Sequence, residues 1–126
     1  MLNIFGKRVK NKKGFTLTEL IIVVAILGIL VGIATPLLIG YLDDARENTD
    51  LANAKTIENT VLRLEARGTL SIANADAQDI IDAIETEVQI PSCEQDGMNF
   101  ILNTETGDVS VAESAGADEI NLNDPS

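Results

Sequence analysis

The chain has 126 residues, of which 20 are acidic and 9 are basic, so its formal net charge at pH 7 is −11. Such an acidic surface repels the phosphates of a nucleic acid, which argues against direct nucleic-acid binding. Histidine is absent and cysteine occurs once, so neither a histidine-based catalytic centre nor an internal disulfide can form. The sequence also has no glycine-rich phosphate loop or paired metal-ligand motif, and we expect no enzymatic activity.

The chain begins with a basic leader, residues 1–14, followed by a long apolar run. The leader carries five basic residues and no acid, whereas the 23 residues from Leu20 to Leu42 have no formal charge. As a helix this run spans roughly 34 Å, enough to cross a bilayer. A secretory signal peptide would place its small-residue cleavage site after the apolar core, but here the small residue, Gly14, precedes it. We therefore expect the apolar run to survive processing, with the leader on the cytoplasmic side and the remainder outside.

A short sequence joins the leader to the apolar run, Gly14-Phe15-Thr16-Leu17-Thr18-Glu19. Together with its flanks, over about residues 12–42, it resembles the N-terminus of type IV pilins and their pseudopilin relatives. In that family a membrane prepilin peptidase cuts after the glycine and methylates the new amino terminus. The resemblance therefore implies cleavage between Gly14 and Phe15, N-methylation of Phe15, and polymerisation of identical subunits on an inner-membrane assembly platform. The alternative is an ordinary single-pass anchor in which the glycine occurs by chance.

Glu19 is the only acidic residue among the first 42. A carboxylate at the edge of the hydrocarbon costs roughly 1 to 3 kcal/mol, depending on its depth, so it persists only with a partner or a function. Cleavage would create an α-amino group at Phe15, one helical turn away. The resemblance implies that Glu19 meets the terminal amine of a neighbouring subunit and so sets the register of assembly. Alternatively, Glu19 favours the positive end of its own helix and reaches the membrane interface.

Small or helix-breaking residues recur every four positions in the apolar run, at Gly28, Gly32, Pro36 and Gly40. Small residues at this spacing let membrane helices approach closely. Pro36 cannot donate a hydrogen bond to the carbonyl of Gly32, so we expect the helix to kink or loosen there. The resemblance implies that this stretch extends when the subunit leaves the membrane for a fibre. The alternative is that these are ordinary membrane-helix glycines with a tolerated proline.

Residues 43–67 predict a polar continuation of the same helix. Its apolar positions recur at spacings of three, three, four and three, at Leu51, Ala54, Ile57, Val61 and Leu64. Charged residues occupy the remaining surface, at Lys55, Glu58, Arg63 and Glu65. We interpret these charges as a solvated face, with pairing between subunits as the alternative. We expect one helix from about Phe15 to Arg67, ended by Gly68 as a C-terminal cap.

Residues 68–112 predict a small head. Asn74 or Asp76 can cap a second helix over Ala77 to Val88, before Pro91. Apolar residues alternate with others over 98–102 and return over 109–111, around turn residues, which predicts an antiparallel hairpin. So small a head cannot bury a large core alone, and the second half of the long helix must form one wall. The predicted fold class is therefore α+β, with a membrane or filament segment at 15–42.

Residues 113–126 form an acidic C-terminal tail, in which a third short strand around Ile120 and Leu122 is left open. The tail offers oxygen ligands suited to calcium, at Asp118, Glu119, Asn121, Asn123 and Asp124. Because no EF-hand spacing is present, we prefer a solvated tail, with calcium at Asp118, Glu119 and Asp124 as the alternative. The single thiol, Cys93, is interpreted as a small buried hydrophobe, and a reactive or bridging thiol is the alternative.

The sequence leaves three functions open. The first is a structural subunit of an extracellular type IV pilus that serves adhesion, motility or DNA uptake and lies in the membrane before assembly. The second is a pseudopilin of a type II secretion or competence pseudopilus. The third is a membrane-anchored binding protein that does not polymerise. The first two depend on the resemblance at the N-terminus, whereas the third requires only the apolar anchor.

Overall fold

A computed structural model describes residues 14–124, so the leader up to residue 13 lies outside the described part of the chain. The elements in chain order are α1 (Leu17–Ala66), α2 (Ala77–Glu87), β1 (Asn99–Asn103), β2 (Val109–Ala112) and β3 (Glu119–Asn121). The fold is α+β, as the sequence predicts. The chain divides into an N-terminal unit, Met1–Gly40, and a C-terminal unit, Tyr41–Ser126, and α1 contributes to both.

In the N-terminal unit, every residue that the structure describes is exposed. The exposed side chains are mostly large and apolar, and Ile33, for example, is 67% exposed. Among the described residues one helix, α1, is long and apolar enough to cross a membrane. A helix that is apolar on all sides is stable only inside a larger core or a lipid bilayer. The long apolar helix fits a membrane-anchored precursor.

The sequence predicts two features along α1, a kink or loosening at Pro36 and an end at Gly68. The helix runs through Pro36 without a break, so the predicted loosening at that residue stays a prediction. At its C-terminal end, the N–H of Gly68 donates to the carbonyl of Glu65 at 2.9 Å, and the N–H of Thr69 donates to that of Leu64 at 3.0 Å. Gly68 has a φ of +72°, a left-handed conformation that glycine adopts without steric cost. The predicted glycine cap is confirmed.

The core of the C-terminal unit lies between α1, α2 and the sheet. The second half of α1 forms one wall, as predicted, with four buried apolar residues: Ala54, Ile57, Val61 and Leu64. Helix α2 contributes Ile80, Ile81 and Ile84, and the strands contribute Phe100, Leu102 and Val109. The predicted core position at Leu51 is wrong, because Leu51 is 52% exposed and Asp50 takes its place with no exposed surface. The buried stripe therefore follows heptad-like spacing from residue 50, at spacings of four, three, four and three.

The sheet has three antiparallel strands in the order β2-β1-β3. The predicted hairpin is confirmed by the pairing of β1 with β2, in which Phe100 lies opposite Val111 and Leu102 opposite Val109. The third strand, which the sequence left open, is present as β3 within the acidic segment, and its Ile120 lies opposite Leu102. Ile101 is also buried but lies outside the main core, so β1 is buried on both faces.

The short helix α2 begins and ends close to its predicted bounds. Asp76 occupies the N-cap position, although its side chain makes no capping hydrogen bond. Asn74, the other predicted cap, instead donates from its side-chain amide to the hydroxyl of Ser71 at 3.2 Å. Val88 is extended and closes the helix with an N–H bond to the carbonyl of Ile84.

Candidate processing and assembly site

The predicted cleavage site lies immediately before α1. Gly14 and Phe15 precede the first helical residue, and both are exposed, Phe15 to 91%. A Cβ atom added at Gly14 would meet no other atom within 4 Å, and the residue has no positive φ. The fold of the described residues therefore places no demand for glycine at this position. A requirement for glycine here has to come from outside the folded chain, such as from the active site of a peptidase.

Thr16 and Glu19 form a capping box at the start of α1. The N–H of Glu19 donates to the hydroxyl of Thr16 at 3.2 Å, and the N–H of Thr16 donates to Oε2 of Glu19 at 3.1 Å. The carbonyl of Thr16 accepts the first helical bond, from Leu20, at 3.2 Å. Each side chain thus satisfies a backbone donor that the first helical turn would leave without a partner. Sequence analysis missed this arrangement, although Thr-x-x-Glu ahead of an apolar run is its known signature.

In its alternative role, Glu19 interacts with the positive end of its own helix, and the capping box shows the hydrogen bonds through which it does so. The capping box also survives processing, because the N–H of Thr16 belongs to the peptide bond on the far side of Phe15 from the predicted cut. Of the two carboxylate oxygens of Glu19, only Oε2 accepts a hydrogen bond from a described residue. A carboxylate has acceptor capacity on both oxygens, so Oε1 can receive a second donor while the cap stays intact. The two roles of Glu19 are therefore geometrically compatible.

The stripe of small residues lies farther along α1. Gly28, Gly32 and Gly40 have open space where a Cβ would stand, and Pro36 lies inside the helix between them. The hydroxyl of Thr35 donates to the carbonyl of Val31 at 2.7 Å. Gly28 follows Glu19 by nine residues, which is about 14 Å along a helix. The structure thus places Gly14 and Phe15 directly before the first turn of α1, which contains Glu19, whereas the stripe lies farther along the helix.

In the C-terminal unit a buried carboxylate holds a loop. Oδ1 of Asp50 accepts the N–H of Glu94 at 2.7 Å, and Oδ2 accepts the N–H and the side-chain amide of Gln95, both at 3.1 Å. The side chain is fully buried, and no basic residue in the described chain forms an ion pair with it. Three N–H donors stabilise its carboxylate through hydrogen bonds. We refer to this arrangement as the Asp50 clamp.

The predicted solvated face of α1 contains one residue that is not solvated. Glu58 is only 13% exposed, accepts from Lys55 at 2.8 Å through Oε1, and accepts the N–H of Val109 at 3.2 Å through Oε2. The hydrogen bond from Lys55, followed by that from Val109, lowers the pKa of Glu58, and the same Glu58 contact raises the pKa of Lys55. Glu58 therefore ties α1 to the start of β2, and its interpretation as a solvated charge is wrong. Lys55 is 72% exposed, as predicted.

Cys93 lies half-buried against the core and is a free thiol. Burial, assisted by the negative charge of Asp50, raises the pKa of Cys93 to about 11. A thiol with so high a pKa is almost wholly protonated at neutral pH and is a poor nucleophile. This partly buried environment agrees with the interpretation of Cys93 as a small hydrophobe rather than a reactive thiol.

The oxygen ligands proposed for calcium take part in the local fold. Oδ1 of Asn121 accepts the N–H groups of Asn123 and Asp124, and Oε2 of Glu119 accepts the N–H of Gly116. Asn123 also joins two segments, since its Oδ1 accepts the N–H of Phe100 at 2.8 Å and its amide donates to the carbonyl of Pro91 at 2.9 Å. Within residues 14–124 no three carboxylate, thiol or imidazole groups lie close enough to hold a metal ion.

Over residues 9–35 the chain matches the family model described as the prokaryotic N-terminal methylation motif. The match contains the predicted cleavage site, the capping box and most of the apolar run. It is consistent with a class III prepilin signal in a type IV pilin-like protein. The motif implies processing by a prepilin peptidase and pilin-type assembly. No solved structure matches the chain.

Proposed function

We propose that this protein is a structural subunit of an extracellular type IV pilus. It is made as a single-pass membrane precursor, cleaved between Gly14 and Phe15, methylated on the new amine, and polymerised with identical copies through α1. The observation that carries the proposal is the methylation motif, which coincides with an exposed glycine junction at the start of a helix whose apolar first half is exposed throughout. The roles of the individual residues follow from the geometry of that junction.

The junction suits a membrane-embedded peptidase. The backbone before α1 is not helical, so Gly14 and Phe15 can be bound in an extended form without unfolding the helix. Cleavage leaves Phe15 with a protonated amine, and methylation retains that charge. The capping box then holds the first turn of α1 together, because neither of its two hydrogen bonds involves the residue removed.

The apolar part of α1 is the principal source of assembly energy. Each large side chain over 20–42 is about half exposed or more, so in a fibre outside the membrane this surface leaves water only by packing against other copies, at roughly 25 cal/mol per Å² of apolar area buried. The C-terminal unit carries 4 basic and 19 acidic residues, so two such units repel one another. We therefore place polymerisation in α1, with the C-terminal units arranged around it.

Glu19 aligns subunits in this scheme. In the membrane its carboxylate is stabilised by the capping box and by the helix dipole. In the filament, Oε1 of Glu19, which takes no part in the capping box, accepts a hydrogen bond from the methylated amine of Phe15 in a neighbouring subunit. An amine and a carboxylate that leave water together recover the cost of lost hydration only as a close, hydrogen-bonded pair, which favours one axial register over its neighbours.

The variant Glu19→Gln separates the two roles of this residue. Glutamine can still accept from the N–H of Thr16, so the cap is retained, but the charge that would attract an amine is lost. We expect normal cleavage and membrane insertion with at least about a tenfold loss of sheared fibres, since removing one partner of a buried charge pair costs about 3 to 5 kcal/mol and each 1.4 kcal/mol corresponds to a factor of ten. The matched control is Glu47→Gln, an exposed acid on the same helix, which should leave fibre yield unchanged.

Fibre yield that is normal in Glu19→Gln but lost in Glu19→Ala would reduce Glu19 to a helix cap and remove its role in register. A wild-type chain that is processed but stays in the cell-associated fraction after shearing would instead indicate a pseudopilin. A wild-type chain that keeps its leader would indicate a membrane-anchored protein that does not polymerise.

A further inference from the structure

The basic residues of the C-terminal unit all lie in α1 or directly after it. Arg46, Lys55 and Arg63 are in α1, and Arg67 directly follows it. From residue 68 to the end of the chain there are 13 acidic residues and no basic residue. Each subunit therefore presents cations along one helix and only anions over the rest of its C-terminal unit. An ion pair between the C-terminal units of two copies therefore has to use one of these four cations.

Three of these four cations are already paired within the subunit. Arg46 lies 3.5 Å from Asp43, Lys55 lies 2.8 Å from Glu58, and Arg67 lies 3.0 Å from Glu87. Arg63 differs, because no carboxylate in the described chain lies within 4 Å of its guanidinium group. Its Nη2 donates to the hydroxyl of Thr60 at 3.2 Å, which leaves most of its five donors directed to solvent.

The surface around Arg63 is formed by short side chains and is partly apolar. Asn59, Leu62, Arg63 and Ala66 share one face of α1, at the spacing of three and four residues that brings side chains together. All four are exposed, and Leu62 is 48% exposed. We call these four residues the Arg63 face. A single cation beside a leucine and two short side chains offers charge and contact area without steric obstruction.

The outer surface of α2 has the complementary character. Asp79, Asp82 and Glu85 are exposed and spaced by three residues, so they repel one another along the helix. Helix α2 contains no basic residue, and its last turn carries acids where the helix dipole favours cations. No described basic side chain forms an ion pair with any of the three. An external cation would relieve this repulsion.

We propose that the Arg63 face of one subunit docks on the acidic surface of α2 in a second copy of this chain. The proposal rests on the proposed filament function and adds to it a contact between C-terminal units. Because the two surfaces differ, the contact is heterologous, and repeating it without ring closure generates an open helical assembly rather than a two-fold symmetric dimer. The planar guanidinium group can bind one carboxylate through two parallel hydrogen bonds, which lysine cannot do.

Charge exchange in the full-length protein tests the contact. Arg63→Glu places like charges opposite each other, and exposed ion pairs of this kind change an affinity by up to about fivefold, so we expect a two- to fivefold loss of sheared fibres that moderate salt reduces. Asp82→Arg alone should lower the yield similarly. The double variant Arg63→Glu with Asp82→Arg should restore it. Thermal unfolding of each variant confirms that the fold is retained.

Glu105→Arg is the matched control for the rescue, because Glu105 is an exposed acid in the turn between β1 and β2 and is not part of α2. Combined with Arg63→Glu, it should not restore fibres. Normal yield from Arg63→Glu, no rescue by Asp82→Arg, or equal rescue by Glu105→Arg would each overturn the contact. Absence of fibres from the wild-type chain would instead refute the proposed function, so the two failures are distinguishable.

Discussion

The Asp50 clamp makes the strongest prediction about stability. Asp50→Ala leaves the N–H groups of Glu94 and Gln95 without their acceptor. A buried donor that loses its partner costs about 1 to 3 kcal/mol, and the partial exposure of this loop favours the lower part of that range. Two such donors give a loss of about 2 to 4 kcal/mol in the free energy of unfolding. For a unit of this size each kcal/mol lowers the Tm by about 4 to 8 °C, so we expect a fall of roughly 8 to 32 °C.

Thermal unfolding of a soluble fragment that starts at residue 43 measures this effect, and hydrogen exchange at the amides of Glu94 and Gln95 locates it. Both amides should exchange faster in Asp50→Ala, even under conditions where the fragment stays folded. Glu47→Ala is the control, since an exposed acid on the same helix should change stability by no more than about 0.5 kcal/mol. A loss below about 1 kcal/mol in Asp50→Ala, or unchanged amide protection, would refute the clamp.

Three further results are expected from the same fragment. Because hydrogen bonding lowers the pKa of Glu58, its contribution to stability is present above the ordinary carboxyl pKa and is lost as pH falls through the lowered value; Glu58→Gln should flatten the acid limb of a stability profile. The raised pKa of Cys93, about 11, should make its alkylation at pH 8 slow in the folded state and fast in denaturant, and stability should decline as pH rises from about 9 toward 11. Rapid alkylation of the folded fragment would contradict that environment. Finally, sedimentation should show a monomer at low and moderate salt, because 19 acidic and 4 basic residues oppose self-association, and ordered filaments without residues 15–42 would contradict a polymerisation driven by α1.

Local patterns in the sequence predicted much of the fold. The end of α1 at Gly68, the second helix and the hairpin each depend on signals within a few residues, namely a glycine cap, helical periodicity and turn chemistry. The capping box of Thr16 and Glu19 was equally local and could have been recognised from its spacing. The strand β3 was left open because it has only three residues and its pairing with β1 is not encoded locally.

The error at Leu51 had a different cause. A charged residue usually indicates the surface, so the sequence pattern predicts Leu51 rather than Asp50 in the core stripe. Asp50 is buried because its partners come from a loop 44 and 45 residues away in sequence, and nothing near Asp50 reveals them. Glu58 was misjudged for the same reason, since its contact with Val109 spans 51 residues. Buried polar groups with distant partners are the part of this fold that a single sequence does not reveal.

Mass spectrometry of the protein in a sheared surface-fibre fraction tests the central proposal most directly. We expect the chain there to begin at Phe15, to carry one methyl group on its terminal amine, and to extend through the C-terminal unit. That result would show that the same molecule is cleaved, methylated and assembled into fibres. A chain in fibres that retains residues 1–14, a start beyond Ala34, or absence of the chain from the fibre fraction would contradict the proposal.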